Sequence, residues 1–241
     1  MTNLILVRHG QSIWNAENRF TGWVDSGLST KGKNEAKLAG ELIRNQNLII
    51  SFSYTSFLTR ASHTLKIILD EIDKVNLQKA EAWQLNERHY GSLTGLDKEE
   101  TKINLGEELF FKYRRSWDMA PPKLNKSNKY LSSFSKLNSK IPTKKIPLTE
   151  SLKNTYDRVI PYYKKKIQPN LLLNKNILMV AHGNSLRALC KHLFQINDKK
   201  INLLEIPTGN PLLISFNKDI SKIDQAYYLN KKKEKKLFFG H

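Results

Sequence analysis

Two short stretches hold the residues best equipped to do chemistry. LILVRHGQS at residues 4–12 runs an apolar segment into Arg8, His9 and Gly10, and ILMVAHGNS at residues 177–185 repeats the form with His182 and Gly183. A neutral imidazole can attack an electrophile, and a neighbouring fixed cation favours the neutral form. The arginine adds a guanidinium fork that matches phosphate oxygens. A glycine after each histidine lets a ligand approach the backbone closely. The combination suits a phosphate. NERHYG at residues 86–91 is a third cluster, setting Glu87 beside Arg88, His89 and Tyr90. From spacing alone it reads as a surface turn.

Both histidines must be carried by strand ends. Leu4–Val7 and the run ahead of His182 are apolar at consecutive positions, as expected for strands covered on both faces of a parallel sheet. In such sheets functional groups gather at the carboxyl ends of the strands. If the two strands are neighbours, His9 and His182 face one crevice. Between them TKGKNEAKLAGELIRN reads as a helix capped by Ser29 or Thr30, SFSYTS as a short strand, and RASHTLKIILDEIDK as a helix. ESLKNTYDRVIPYYKKKI resumes helical spacing with a break expected at Pro161, SLRALCKHLF follows the second histidine turn as a helix, and PLLISF is a late strand. Alternating strand and helix predicts an α/β fold: three layers, with a mostly parallel central sheet flanked by helices. Residues from about 100 to 150 break the rhythm with prolines, serines, asparagines and lysines, and read as an irregular insertion. The expected organisation is one domain over residues 1–229 and a basic tail over 230–241.

Composition narrows the function classes. The chain has 241 residues, 39% of them hydrophobic, enough for a substantial core. No apolar run approaches the ~20 residues of a membrane span, and the N-terminal one is too short for a signal peptide, so a cytoplasmic location is expected. Cys190 is the only cysteine, which excludes an intrachain disulfide and a cysteine-based zinc site. Its helical spacing with Leu186, Leu189 and Leu193 places it in the core. The formal charge of +18 is mostly lysine, with only nine arginines among 40 basic residues. The lysines are scattered, without an aromatic-interleaved RNA motif or finger spacing, so they read as solvated surface and no nucleic-acid partner is expected.

With these residues in view, LVRHGQSIWNAENRFTGWVDSGLSTKG resembles the signature of the cofactor-dependent phosphoglycerate mutases, a branch of the histidine phosphatase superfamily. YTSFLTRASHTL, LNERHYGSLTGLDK, YRRSWDMAPP, LTESL, DRVIPYY, AHGNSLRAL and IPTGNPL continue the match in order, over about residues 2–229. The Arg-His-Gly turn marks only the superfamily, whereas the Glu-Arg-His-Tyr-Gly loop and the Arg-Arg pair point to the mutases. The resemblance implies that His9 takes a phosphoryl group from 2,3-bisphosphoglycerate and passes it to a monophosphoglycerate. It makes Arg8 and Arg60 the phosphate clamp, His182 a contact of the transferring group, and Glu87 the proton carrier. Asn15, Gly183 and Asn184 would donate to phosphate, and Thr21 and Gly22 would line the substrate path. Tyr90, Lys98, Arg114 and Arg115 would hold the second phosphate or the carboxylate, with Arg88 and His89 completing the loop's substrate-binding set.

Metal is not expected. Two arginines beside His9, His182 and Glu87 would repel a divalent cation, and no His-x-His or His-Glu-x-x-His spacing occurs. His63, His192 and His241 receive structural or solvent-exposed readings. Relatives imply a homodimer or higher homo-oligomer. The chain departs from the family at Gln11, where many members have Glu, and at its end, where KKKEKKLFFGH replaces a longer, less basic tail that can fold over the active site. That segment is either a frayed terminus or a flap drawn to the anionic ligand. Three functions remain: the mutase, a phosphatase in which water discharges His9, and a lysine-rich binding module.

Overall fold

The computed structural model describes residues 2–125, 128–130 and 141–239. His241 and part of the expected insertion and tail lie outside them. Among the described residues six strands form one sheet: β1 (Thr2–Arg8), β2 (Ile50–Thr55), β3 (Lys79–Glu81), β4 (Asn176–Ala181), β5 (Leu212–Phe216) and β6 (Ile223–Tyr228), in the order β3-β2-β4-β1-β5-β6. β3, β2, β4 and β1 run parallel; β5 pairs antiparallel with β1 at one edge and β6 antiparallel with β5, so β5 runs against the others. β1 and β4 are direct neighbours, registered from Leu4 opposite Ile177 to Arg8 opposite Ala181. The two echoing segments of the sequence are therefore physically side by side, and their histidines emerge at the same end.

Alternate residues of these strands face opposite layers. Leu4, Leu6, Ile177 and Met179 pack with Leu186, Leu189 and Cys190, whereas Ile5, Val7, Leu178 and Val180 pack with Ala39, Ile43, Leu65 and Ile68. Continuous burial along β1 and β4 is the reason their sequences show no polar alternation.

Two helices cover one face. α1 (Ile13–Ala16) is a single turn after the first histidine loop, and α2 (Thr30–Arg44) starts where the Ser29 side chain accepts the Gly32 N–H at 3.1 Å. α3 (Thr59–Glu71) lies beside α2 and places Arg60 in its first turn. Gly10 and Gly32 allow the loop after β1 to lie against the start of α2, because a Cβ on Gly10 would sit 2.1 Å from the Gly32 carbonyl oxygen.

The stretch from about 100 to 150 is irregular only in its later part. α4 (Lys98–Leu105), capped by Asp97, and α5 (Glu107–Arg115) stand within the region read as an insertion. Beyond Arg115 the described residues form loops, and Leu124 and Ile141 close over Trp23, Val24 and Leu58.

The opposite face carries α6 (Leu152–Tyr162), whose Ser151 cap and Asn154 bond reciprocally, α7 (Gln168–Leu172) and α8 (Gly183–Leu193). Pro161 does not end α6 but is followed by a π turn over Tyr163–Ile167 that leads into α7. A proline lacks the N–H that would bond four residues back and crowds that carbonyl, and the wider turn absorbs the defect.

Candidate active site

The β1–β4 register brings the histidine turns together. The His9 N–H donates to the Ala181 carbonyl at 3.0 Å, and the two imidazoles meet edge to face with centroids 4.9 Å apart. His9 Nδ1 lies 2.7 Å from the Gly10 carbonyl oxygen. A carbonyl only accepts, so Nδ1 carries the proton and Nε2 keeps its lone pair for attack. Burial, then the charges of Arg60 and Arg8, hold the His9 pKa well below the ordinary histidine value. His9 is thereby kept in the form that can act as a nucleophile.

His182, also fully buried, is depressed by burial and by the same two arginines. Its Nε2 is 2.7 Å from Ser56 Oγ, which itself accepts the Leu58 N–H at 3.2 Å. The serine proton is then free to go to Nε2, which leaves Nδ1 as the donor.

Arg60 is pinned from behind. Its Nη1 donates to the Val24 carbonyl at 2.9 Å and its Nη2 to the Gly22 carbonyl at 2.7 Å. Gly22 has φ +54°, which turns the chain around the guanidinium. Thr64 ties this helix to the nucleophile loop by donating to the Arg60 carbonyl and accepting the Gly10 N–H. Burial lowers the Arg60 pKa to about 10, so the side chain remains a cation at neutral pH. Arg8 is held by one bond from Nη1 to the Ile206 carbonyl, 2.9 Å.

The surface-turn reading of NERHYG does not survive. Asn86, Glu87, Arg88 and His89 are all buried. Glu87 Oε1 accepts the Arg88 N–H at 2.8 Å and the Asn184 N–H at 3.1 Å, and among the described residues Oε2 accepts none. That free oxygen belongs to a carboxylate lining the cleft.

The cleft has two connected parts. One, of about 90 Å³, is lined by His9, Asn15, Thr21, Gly22, Arg60 and Lys98, together with Arg8, Glu87, Tyr90 and Arg114. The other, of about 220 Å³, shares those last four and adds Arg115, Gly183, Asn184 and Arg187. Most of the residues singled out in the sequence thus border one cavity. His182 lines neither part and stands behind His9, and Arg88 and His89 do not line either part. Arg88 lies under the Tyr90 ring, its guanidinium carbon 4.7 Å from the centroid, and donates to the Arg114 carbonyl. His89 packs against Trp23, accepts the Gly91 N–H on Nδ1, and is lowered to about 4 chiefly by burial. Arg88 and His89 shape the loop from behind and do not face the cleft.

Arg187 was missed by the sequence reading. It sits one helical turn after Asn184 on α8, donates to Asn184 Oδ1 at 2.9 Å, and is lowered to about 9 by burial and by Arg115 and Arg88. The i, i+3 spacing from Asn184 was the available signal. The rim also carries Glu205, bonded to Arg115 at 2.7 Å, and Lys235, 3.7 Å from the same carboxylate.

The described part of the tail is docked. Lys233 pairs with the buried Glu35 at 3.1 Å, Leu237 and Phe238 pack on the core, and Phe239 meets the Phe194 ring at 5.0 Å. The frayed reading fails over these residues.

The donor set fits a small polyanion. Arg8 Nε, Thr21 Oγ1, His182 Nδ1 and Arg187 Nε are buried polar atoms without a hydrogen bond among the described residues. Such atoms carry a desolvation cost that an anionic ligand's oxygens would relieve. Among the described residues no group of three or more His, Cys, Asp or Glu could hold a metal ion.

Comparison with known proteins agrees with this chemistry. Residues 4–133 match the profile of the histidine phosphatase superfamily (branch 1). A 2,3-bisphosphoglycerate-dependent phosphoglycerate mutase of Pelagibacter ubique (strain HTCC1062) is 52% identical over 237 residues, covering 98% of this chain and 99% of that one. Among solved structures, a mycobacterial glucosyl-3-phosphoglycerate phosphatase complexed with VO3 superposes with a TM-score of 0.69 at 19% identity, covering 95% of this chain and 97% of that one. A phosphoglycerate mutase from Bacillus anthracis str. Sterne gives 0.67 at 20% identity, covering 92% and 91%. At such identities the two structures speak for the fold alone, and the close relative speaks for the branch. The chain belongs to the histidine phosphatase superfamily and, within it, to the 2,3-bisphosphoglycerate-dependent phosphoglycerate mutases.

Proposed function

We propose that this chain interconverts 2-phosphoglycerate and 3-phosphoglycerate, a step of glycolysis and gluconeogenesis, by passing a phosphoryl group through His9. The observation that carries the reading is the neutral His9, with Nε2 free, set between Arg60, Arg8 and His182. 2,3-bisphosphoglycerate supplies the phosphoryl group that charges His9. Nε2 forms the bond to phosphorus while the bond to the glycerate oxygen breaks. Arg8, Arg60 and the His182 Nδ1–H hold the peripheral oxygens as charge redistributes.

In each mutase turn the Glu87 carboxylate takes the proton of the acceptor hydroxyl as that oxygen bonds to phosphorus and the bond from phosphorus to His9 breaks. Once the bisphosphate has reoriented, Glu87 returns the proton to the oxygen that departs as His9 is phosphorylated again. Asn15, Gly183 and Asn184 belong to the phosphate donors, and Thr21 and Gly22 to the path. Tyr90, Lys98, Arg114 and Arg115, with Arg187 added, neutralise the distal phosphate and the carboxylate. Phosphoryl transfer of this kind is mainly positioning and electrostatics, and it proceeds here without metal.

Small anionic phosphoglycerates are the partners of this site. A homodimer or higher homo-oligomer in the cytoplasm completes the proposal, supported by the family. Among the described residues no helix is long and apolar enough to cross a membrane.

The test is conversion of 3-phosphoglycerate with and without 2,3-bisphosphoglycerate, and with EDTA. Activity should require the primer and ignore the chelator. Labelled primer should leave an acid-labile, base-stable adduct that His9→Ala abolishes. Retention of the adduct in that variant would overturn the assignment, and hydrolysis without mutase turnover would favour the phosphatase reading. Light scattering reads the assembly.

A further inference from the structure

Arg158 sits on α6, behind the Glu87 loop, and every N–H of its guanidinium is used. Nε donates to Glu150 Oε1 at 2.7 Å and Nη2 to Glu150 Oε2 at 2.9 Å, a bidentate pair. Nη1 donates to the carbonyls of Gln84 at 2.7 Å and Asn86 at 3.0 Å, and Nη2 to that of Glu87 at 3.0 Å. Both partners of the ion pair are buried, with side-chain exposures of 9% and 5%. Glu150 Oε2 also accepts the His89 N–H at 2.8 Å, so the pair grips the loop at four peptide groups.

One of these bonds reaches the reacting region through the backbone. The Glu87 carbonyl and the Arg88 N–H belong to the same planar trans peptide and point in opposite directions. Arg158 Nη2 and Trp23 Nε1 both donate to that carbonyl from behind. Fixing the carbonyl aims the Arg88 N–H forward, where it holds Glu87 Oε1 at 2.8 Å. The carboxylate is thus located by a peptide plane that the guanidinium locks.

We propose that Arg158, clamped by Glu150, is a positioning residue for catalysis: it sets the orientation of the Glu87 carboxylate through the 87–88 peptide. The inference rests on the proton-carrier role of Glu87. Lysine cannot take over, because a single ammonium cannot serve a bidentate carboxylate and three carbonyls together. The alternative is that the five bonds serve only stability.

A double-mutant cycle separates the two. The kcat and KM for 3-phosphoglycerate, with primer present, are measured for Arg158→Lys, Glu87→Gln and the double variant, alongside Tm. Misplacing a proton carrier by about 1 Å costs up to about 100-fold, so Arg158→Lys should lower kcat roughly 10–100-fold with KM little changed. In the Glu87→Gln background the same substitution should lower kcat less than about twofold, since the group it positions no longer transfers a proton.

Equal losses in both backgrounds, or a loss confined to KM, would overturn the inference and leave a structural role. An unchanged kcat in Glu87→Gln alone would overturn the role of Glu87 and this inference with it. Should Arg158→Lys not fold, Glu150→Gln, which weakens the clamp but keeps the guanidinium, enters the same cycle with the same expectation.

Discussion

Ser56→Ala isolates what holds the second histidine. Ser56 is fully buried at the end of β2, and its hydroxyl serves two groups: His182 Nε2 at 2.7 Å and the Leu58 N–H at 3.2 Å. Alanine deletes one oxygen and leaves both groups buried without that partner. A buried polar group stripped of its hydrogen bond costs ~1–3 kcal/mol. The longer Leu58 contact belongs at the low end, so the expected loss of stability is ~2–4 kcal/mol. The ring also loses the hydrogen bond that fixes its angle and keeps the edge contact with His9 at a centroid distance of 4.9 Å. With Nε2 unbound, the neutral ring can carry its proton on either nitrogen, and Nδ1 ceases to be a committed donor. An ordinary donor misaligned at a developing charge costs on the order of 10–100-fold in rate, or ~1.4–2.7 kcal/mol. Urea unfolding measures the first quantity, and kcat with saturating primer the second. Ser56→Thr retains the hydroxyl and should keep more of the rate than alanine. A Ser56→Ala variant that loses stability as expected but turns over at the parent rate would refute the reasoning, because packing alone would then orient His182.

Arg60→Lys should reduce both charging and discharge of His9 roughly 10²–10³-fold, because one ammonium cannot bond the carbonyls of Gly22 and Val24 and also present a fork to phosphate; rapid-quench phosphoenzyme kinetics would show it, and an effect on one direction only would contradict the clamp. Stability should depend on acid: burial depresses His9, His89 and His182, with His89 at about 4, while the unfolded chain takes up protons below ~6.5. Above ~6.5 these groups are neutral in both states and contribute no pH dependence; as pH falls below it, stability should drop by up to ~1.4 kcal/mol per pH unit for each histidine, and a flat urea midpoint from pH 7.5 to 5 would contradict this. Truncation after Asn230 removes Lys233 from Glu35 and Lys235 from the cleft rim, and should raise bisphosphate hydrolysis relative to mutase turnover; an unchanged ratio at low salt would show that the tail protects nothing.

The parts of the fold legible in the sequence are those whose burial is complete. β1 and β4 announce themselves as unbroken apolar runs, and α2, α3 and α8 as periodic ones. β3 has three residues, Lys79–Glu81, with no pattern, and β6 is largely solvent-facing, so neither was distinguishable from loop. α4 buries a single residue, Thr101, and its helical period is weak, whereas α5 carries a period as clear as that of α2 and was hidden only by the irregular composition that follows it. In the site, His9 and His182 were visible from residue type at a strand end. Glu87 needed the family likeness, since nothing in NERHYG tells a buried loop from an exposed one. Arg158 stands in a helical segment where nothing in the local sequence marks it for the site. Its partners at residues 84, 86, 87 and 150 come together solely through tertiary packing.

The shared register of β1 and β4 also acts as a proofreading device. Side chains alternate faces along a strand, so a slip of one residue against the neighbour would turn Leu4, Leu6, Ile5 and Val7 toward the wrong layers. The same slip would carry His9 about 3.3 Å along the strand from His182, beyond any shared phosphoryl group. A misregistered chain would therefore have to repack both apolar layers as well as separate its imidazoles. Any molecule that completes the sheet has already measured the distance its chemistry requires.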